Sequence, residues 1–150
     1  LGYTFYRYKG KCRFRVHPKS VAKMKDKIRE LTDRNKGISN EIREKKYQEY
    51  VRGWVEYFRL ADMKELLKTT DEWARRRIRA AYWKQWKKIK TKYRMLKALG
   101  LEDWKVKELA YSRKGYWRMA KALNQILSNK IIVKLGYTSM LDYYLVVYEN

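Results

Sequence analysis

The spacing of apolar and polar positions changes once near the N-terminus and then holds a helical period. From Leu1 to His17 the pattern is that of a β-hairpin. Tyr3, Phe5 and Arg7 alternate with Thr4, Tyr6 and Tyr8, Lys9-Gly10-Lys11 supplies a turn, and Cys12 to Val16 forms the return strand. His17-Pro18 ends the hairpin, because proline lacks a ladder N–H and suits the first turn of a helix. Val21, Met24, Ile28 and Leu31 then fall at i, i+3, i+7 and i+10, a single helical stripe. Its outer face mixes Lys23, Lys27 and Arg29 with Asp26, Glu30 and Asp33, which reads as a solvated face, and Gly37 closes the region.

A second helix is expected from about Ser39 to Leu60, with Tyr47, Tyr50, Val51, Trp54 and Phe58 on one face and Arg52 pointing away. Gly53 lies inside it at a cost of about 1 kcal/mol relative to alanine, so a close approach to its backbone is expected. After a short connector from Met63 to Lys68, Thr70 reads as the cap of a third helix, with Asp71 and Glu72 in its first turn. That helix runs to about Ile89, burying Ala74, Ile78, Ala81, Tyr82 and Ile89 and gathering Arg76, Arg77, Lys84, Lys87 and Lys88 on the opposite face. Shorter helices follow over Tyr93–Leu99, Asp103–Tyr111, Tyr116–Ser128 and Ser139–Tyr148, punctuated by Gly100, Gly115 and Gly136. Trp117, Ala120, Leu123 and Leu127 mark the third of these as packed, Leu135-Gly136 reads as a helix C-cap, and Ser139-x-x-Asp142 resembles a capping box. The fold class expected is therefore mainly α: an N-terminal β-hairpin, a helical bundle, and a smaller set of short C-terminal helices, with a boundary near Ile89 to Tyr93.

Charge changes this picture. There are 38 Lys and Arg against 16 Asp and Glu, a net charge of +22, on a chain that is 45% hydrophobic and so too apolar to be a basic disordered tail. Six Trp, fourteen Tyr and three Phe are interleaved with the cations, a mixture that suits nucleic acid because cations neutralise phosphates and rings stack on bases. The densest stretch, Arg75 to Lys97, holds eleven Lys or Arg and no acid, with Tyr82, Trp83, Trp86 and Tyr93 set among them. Like charges three and four apart weaken a helix by a few tenths of a kcal/mol per pair, so accepting that cost repeatedly points to phosphates nearby. Arg75, Arg76, Arg77, Lys84, Lys87, Lys88, Lys90, Lys92 and Arg94 are the RNA-binding candidates here. A second cluster, Ser112 to Arg118, supplies Arg113, Lys114 and Arg118; it fits equally a phosphate-binding turn or a tight interhelical turn with exposed cations. Arg52 is expected to add a contact from the second helix.

Other chemistry is poorly served. A single cysteine, Cys12, and a single histidine, His17, build neither a disulfide nor a metal cluster. Acids are isolated rather than paired for metal ions, and no glycine-rich phosphate loop occurs. No catalytic residue, cofactor or metal is therefore assigned to this chain. No run approaches the ~18 apolar residues of a membrane span, and Leu1 to Tyr8 is not built like a signal peptide, so a cytoplasmic location is expected. The chain opens without an initiator methionine and in mid-strand style, which points to a longer parent protein.

Several runs are recognisable together. Tyr50-Val51-Arg52-Gly53-Trp54-Val55-Glu56-Tyr57-Phe58 resembles the signature of the group II intron maturase-specific domain. Arg75-Arg76-Arg77-Ile78-Arg79, Trp83-Lys84-Gln85-Trp86-Lys87-Lys88 and Lys90-Thr91-Lys92 are similar to that family's next block. Ala110 to Ala120, Asn124, Leu135-Gly136-Tyr137 and Leu141-Asp142-Tyr143-Tyr144 are similar to its C-terminal end, and Leu1-Gly2-Tyr3 to the last reverse-transcriptase block. Gln48-Glu49 departs from the family's more usual Leu-Asn. The resemblance implies a bacterial-type intron-encoded reverse transcriptase and maturase as parent, an RNA-directed DNA polymerase using Mg2+. Residues 1–17 would then be the end of its palm, 18–91 the thumb or maturase (X) helical domain, and 92–150 the DNA-binding (D) region. It implies as partners group II intron RNA, the template–primer duplex, target DNA and the remaining fingers and palm, with no membrane partner. Arg52 and Gly53 match the family's signature and Arg75 to Lys92 its basic RNA-facing helix, whereas Trp54 and Tyr57 are expected in the core by their helical spacing. The rival reading is a basic helical protein-interaction scaffold that docks an acidic partner and has no nucleic-acid role.

Overall fold

The computed structural model describes residues 2–33, 37–86, 89–111 and 116–149, and is mainly α-helical behind an N-terminal two-stranded hairpin. Strands β1 (Tyr3–Tyr8) and β2 (Lys11–Val16) pair antiparallel, from Tyr3 opposite Val16 to Tyr8 opposite Lys11. Lys9 and Gly10 both have positive φ, 50° and 76°, the two-residue turn whose twist matches that of the strands. An isolated hairpin is marginal in water. This one is tied to the helices: the Tyr3 hydroxyl donates to the Tyr57 carbonyl at 2.7 Å, the Tyr3 ring meets Phe58 at 5.3 Å, and the Asp62 N–H donates to the Phe14 carbonyl at 2.9 Å.

Helix α1 (Pro18–Leu31) starts where the proline allows, with His17 as its cap: the Nδ1 atom accepts from the Lys19 N–H at 3.1 Å. Met24, Ile28 and Leu31 are buried as the stripe requires. The helix stops at Leu31, ahead of Gly37, where the Thr32 hydroxyl donates back to the Ile28 carbonyl at 2.6 Å. In α2 (Asn40–Tyr57), capped by Ser39, the residues Tyr47, Val51 and Trp54 are buried, as is Phe58 just beyond it. Two expectations fail here. Tyr57 is 57% exposed rather than core; its carbonyl accepts from Tyr3 and its ring meets Phe58 at 4.7 Å. A Cβ added at Gly53 would meet nothing within 4 Å, so no close approach explains that glycine.

Helix α3 (Lys64–Gln85) is longer than the sequence suggests. Thr70 does not cap it: Thr70 is a buried interior residue whose hydroxyl donates to the Leu66 carbonyl at 2.7 Å, satisfying itself within the helix. Asp71 is equally displaced from its expected role. It is buried and caps a different helix, α8 (Met140–Glu149), accepting from the Ser139 hydroxyl at 2.8 Å and the Met140 and Leu141 N–H groups at 2.9 and 3.0 Å. The remaining helices are α4 (Ile89–Ala98), α5 (Asp103–Ala110), α6 (Tyr116–Ile126) and α7 (Asn129–Leu135). The last of these was not expected as a separate element; Ser128 starts it by accepting from the Ile131 N–H at 3.4 Å, and Gly136, with φ 120°, ends it.

Helix α3 is the hub. It packs against α1, α6 and α8; α2 packs against α1 and α8; α4 and α5 pack on each other. Met24 and Ile28 of α1, Val51 of α2, Leu67 and Ile78 of α3, Leu123 of α6, Ile132 of α7 and Tyr144 of α8 share one buried core. The Tyr144 hydroxyl closes it by donating to the Ala61 carbonyl at 2.7 Å.

Candidate nucleic-acid interface

Glu72, Arg75, Arg76 and Arg79 stand at i, i+3, i+4 and i+7 on α3 and so share a face. Because α6 packs against α3, that face looks across to Asn124 of α6 and to Ser128, Asn129 and Lys130 where α6 turns into α7. Between the two walls lies a cleft of about 640 Å³. Arg79 forms its floor and is 5% exposed. Its Nε donates to the Leu127 carbonyl at 2.8 Å and its Nη2 to Asn129 Oδ1 at 2.8 Å. The first bond places a cation at the C-terminal end of α6, where helix carbonyls concentrate negative partial charge. Both bonds fix the turn that carries Asn129 and Lys130.

The mouth of the cleft is more open. Arg76, Asn124 and Lys130 are exposed, and Arg75 is half-buried. Among the described residues, no carboxylate comes within ion-pair range of Arg75, Arg76 or Lys130, and Glu72 takes part in no ion pair. Besides the exposed Glu72, a buried acid lies near Arg75: Asp71, whose carboxyl is pushed above the ordinary range by burial, against the lowering effect of the Leu141 and Met140 N–H groups, the Ser139 hydroxyl and the Arg75 charge. Planar guanidinium groups beside an ammonium, outside ion-pair range of the described carboxylates, suit phosphate oxygens.

The other candidates are dispersed. Arg77 turns to α1, donating to Thr32 Oγ1 at 2.9 Å and to the Arg29 carbonyl at 3.3 Å, with its guanidinium 5.7 Å from the Trp73 ring. Lys84 is half-buried on α3. Lys92 lies 4.4 Å from the Trp83 ring centre, and burial holds its pKa below the usual lysine value. Lys90 and Arg94 are exposed on α4. Arg52 is exposed on α2, its guanidinium 5.6 Å from the Tyr143 ring. Lys87, Lys88, Arg113 and Lys114, with the side chain of Arg118, lie outside the described residues.

The rings among these cations are placed differently from the sequence reading. Trp83 and Trp86 are 6% and 3% exposed, so they are core and cannot stack on a base, whereas Tyr82, 5% exposed, is buried as its helical stripe requires. Half of the cleft was also not anticipated. Arg79 reads as one more member of a basic run, yet it is the buried strut of the site. Asn129, Lys130 and Ser128 carry no local signal beyond a helix-capping serine, and Asn124 stood only in the family resemblance.

No group of three or more His, Cys, Asp or Glu suited to a metal ion occurs among the described residues, and no helix there is long and apolar enough to cross a membrane. A comparison with curated proteins finds no match. Residues 21–100 match the family model described as group II intron, maturase-specific domain, which is 80 of the 150 residues and runs from within α1 to just past α4.

Proposed function

From the premise that this chain belongs to the group II intron maturase-specific domain family, we propose that it holds intron RNA in the cleft between α3 and the α6–α7 turn, and so helps that RNA fold for splicing. Membership itself ties the chain to group II intron splicing and to association with group II intron RNA, through a domain that is non-catalytic. One observation carries the finer reading. Arg75, Arg76 and Lys130 come from segments far apart in sequence, meet around one cleft, and have no carboxylate within ion-pair range among the described residues. A chain with net charge +22 that leaves such cations outside ion-pair range of its described carboxylates is served by a polyanion. Structured RNA is held largely through shape, phosphates and 2′-hydroxyls, which arginine and lysine can engage without reading sequence.

Lys90 and Arg94 on α4 and Arg52 on α2 are exposed cations away from the cleft that add to the chain's attraction for the polyanion. In the parent enzyme the same bundle clamps the template–primer duplex. In this division of labour 1–17 joins the palm, 18–91 acts as thumb and 92–150 engages target DNA, while the fingers and palm supply the Mg2+-dependent polymerase centre in a cytoplasmic setting.

Binding of the chain to an intron transcript as a function of salt tests this. If about six phosphates are neutralised, log K falls with log salt at a slope of about −5. Reversing Arg76 and Lys130 together to Glu should flatten that slope and weaken binding strongly while circular dichroism stays unchanged. A wild-type slope near zero, or displacement of the RNA by polyglutamate at equal charge concentration, would replace this reading with that of an acidic-protein scaffold.

A further inference from the structure

Not every group lining the cleft suits a phosphate. Phosphate oxygens only accept hydrogen bonds, so Arg75, Arg76 and Lys130 can serve them, but Glu72 only accepts as well and repels them. A site built for backbone alone would have no use for that carboxylate. A base edge has a use for it, and the Asn124 amide on the opposite wall can donate to a phosphate or accept from a base.

Resting on the RNA reading above, we propose that the cleft receives one nucleotide turned out of the RNA helix, with guanine preferred over the other bases. The cleft of about 640 Å³ is open to solvent between α3 and the α6–α7 turn, and its volume lies in the range of small-molecule sites, enough for a single nucleotide. Sequence-dependent contacts to RNA are made mostly with such unpaired residues, whose edges are open. Guanine alone presents two adjacent donors, N1–H and N2–H, on its Watson–Crick edge, matching the two oxygens of Glu72. Its O6 and N7 atoms accept, and donors stand nearby. With Asn129 Oδ1 held by Arg79 at 2.8 Å, the Asn129 amide group is left as a donor, and the Asn124 amide is exposed at the same rim. Arg75, Arg76 and Lys130 then take the flanking phosphates.

Arg79 makes the wall exist before the ligand arrives. Its buried bonds to the Leu127 carbonyl and Asn129 hold the α6–α7 turn against α3, so little ordering is required on binding.

Fluorescence anisotropy of the whole chain with five RNA hairpins tests this. Four carry a single unpaired G, A, C or U in the same stem, and the fifth is fully paired. The hairpin with unpaired G should bind about tenfold more tightly than the paired one, the scale of a good bidentate base contact. Glu72→Gln and Asn124→Ala should each erase the preference for unpaired G over unpaired A, C and U. Equal affinity for all five hairpins would overturn the nucleotide inference and leave the RNA reading standing, as would a bulge preference indifferent to both substitutions. Binding to none of the five would overturn both.

Discussion

Replacing Asp71 with alanine should unfold the joint between α3 and α8 more than any surface change on the molecule. The carboxylate accepts from the Ser139 hydroxyl at 2.8 Å and from the Met140 and Leu141 N–H groups at 2.9 and 3.0 Å, at a position that is 4% exposed. Alanine leaves all three donors without a partner. A buried donor so orphaned costs roughly 1–3 kcal/mol. The low end applies here, because burial also penalises the carboxylate itself, as its raised pKa shows, and removing it returns part of the loss. One kcal/mol for each donor gives a destabilisation of about 3 kcal/mol, a large fraction of the roughly 5–15 kcal/mol that holds a domain together. For a chain of 150 residues that corresponds to a fall in Tm of about 6–12 °C. Urea unfolding followed by far-UV circular dichroism measures it. Asp71→Asn should fall between, since it keeps one acceptor oxygen. Because Asp71 and Ser139 share a contact, Asp71→Ala and Ser139→Ala together should lose less than the sum of the two singles. A loss below about 0.5 kcal/mol for Asp71→Ala, the ordinary range of a surface change, would refute the claim that this carboxylate locks α8 onto the bundle.

Arg79→Met should destabilise by about 2–3 kcal/mol in the same assay, since the Leu127 carbonyl and Asn129 lose a charged donor in a buried place, and it should loosen RNA binding by freeing the α6–α7 turn. Gly53→Ala should stabilise by about 0.5–1 kcal/mol, because an added Cβ meets nothing within 4 Å; a loss of stability would mean that the α2 backbone there is not that of an ordinary helix. Asp103 accepts from the Tyr93 hydroxyl and pairs with Lys97 and Lys107, both at 3.3 Å, which holds its pKa down to about 2. A carboxyl pKa below the unfolded value of about 3.9 gives stability that is present above that value and is lost as pH falls through the folded one. NMR titration should therefore show the α4–α5 contact loosening between about pH 4 and pH 2 in the wild type, with no such step in Asp103→Asn.

The sequence made the local elements plain where their signals were local. The hairpin turn at Lys9-Gly10, the proline start of α1, the buried face Tyr47, Val51, Trp54 of α2 and the glycine end of α7 all stand where patterning put them. It failed where a residue serves a partner far along the chain. Thr70-Asp71 has every local mark of a helix start, yet Asp71 caps a helix that begins at Met140, and α3 runs straight through both residues. Arg79 sits in an acid-free run and was read as part of a phosphate-facing stretch, but its acceptors are Leu127 and Asn129. Trp83 and Trp86 were interleaved with lysines in sequence, and helical geometry turned them into the core while leaving several of the cations outside. Of the cleft, the sequence supplied Arg75 and Arg76; the opposite wall exists only because α6 packs on α3, a long-range fact that no local period encodes.

The claim at the centre of this account is that intron RNA docks between α3 and the α6–α7 turn. Ultraviolet crosslinking of the chain to a group II intron transcript, with the attached peptides mapped by mass spectrometry, addresses it directly. The account predicts adducts from both walls, in the peptides holding Glu72 to Arg76 and Asn124 to Lys130. Adducts confined to the mixed-charge outer face of α1 or to the exposed rings of the hairpin, with both walls unmodified, would contradict it.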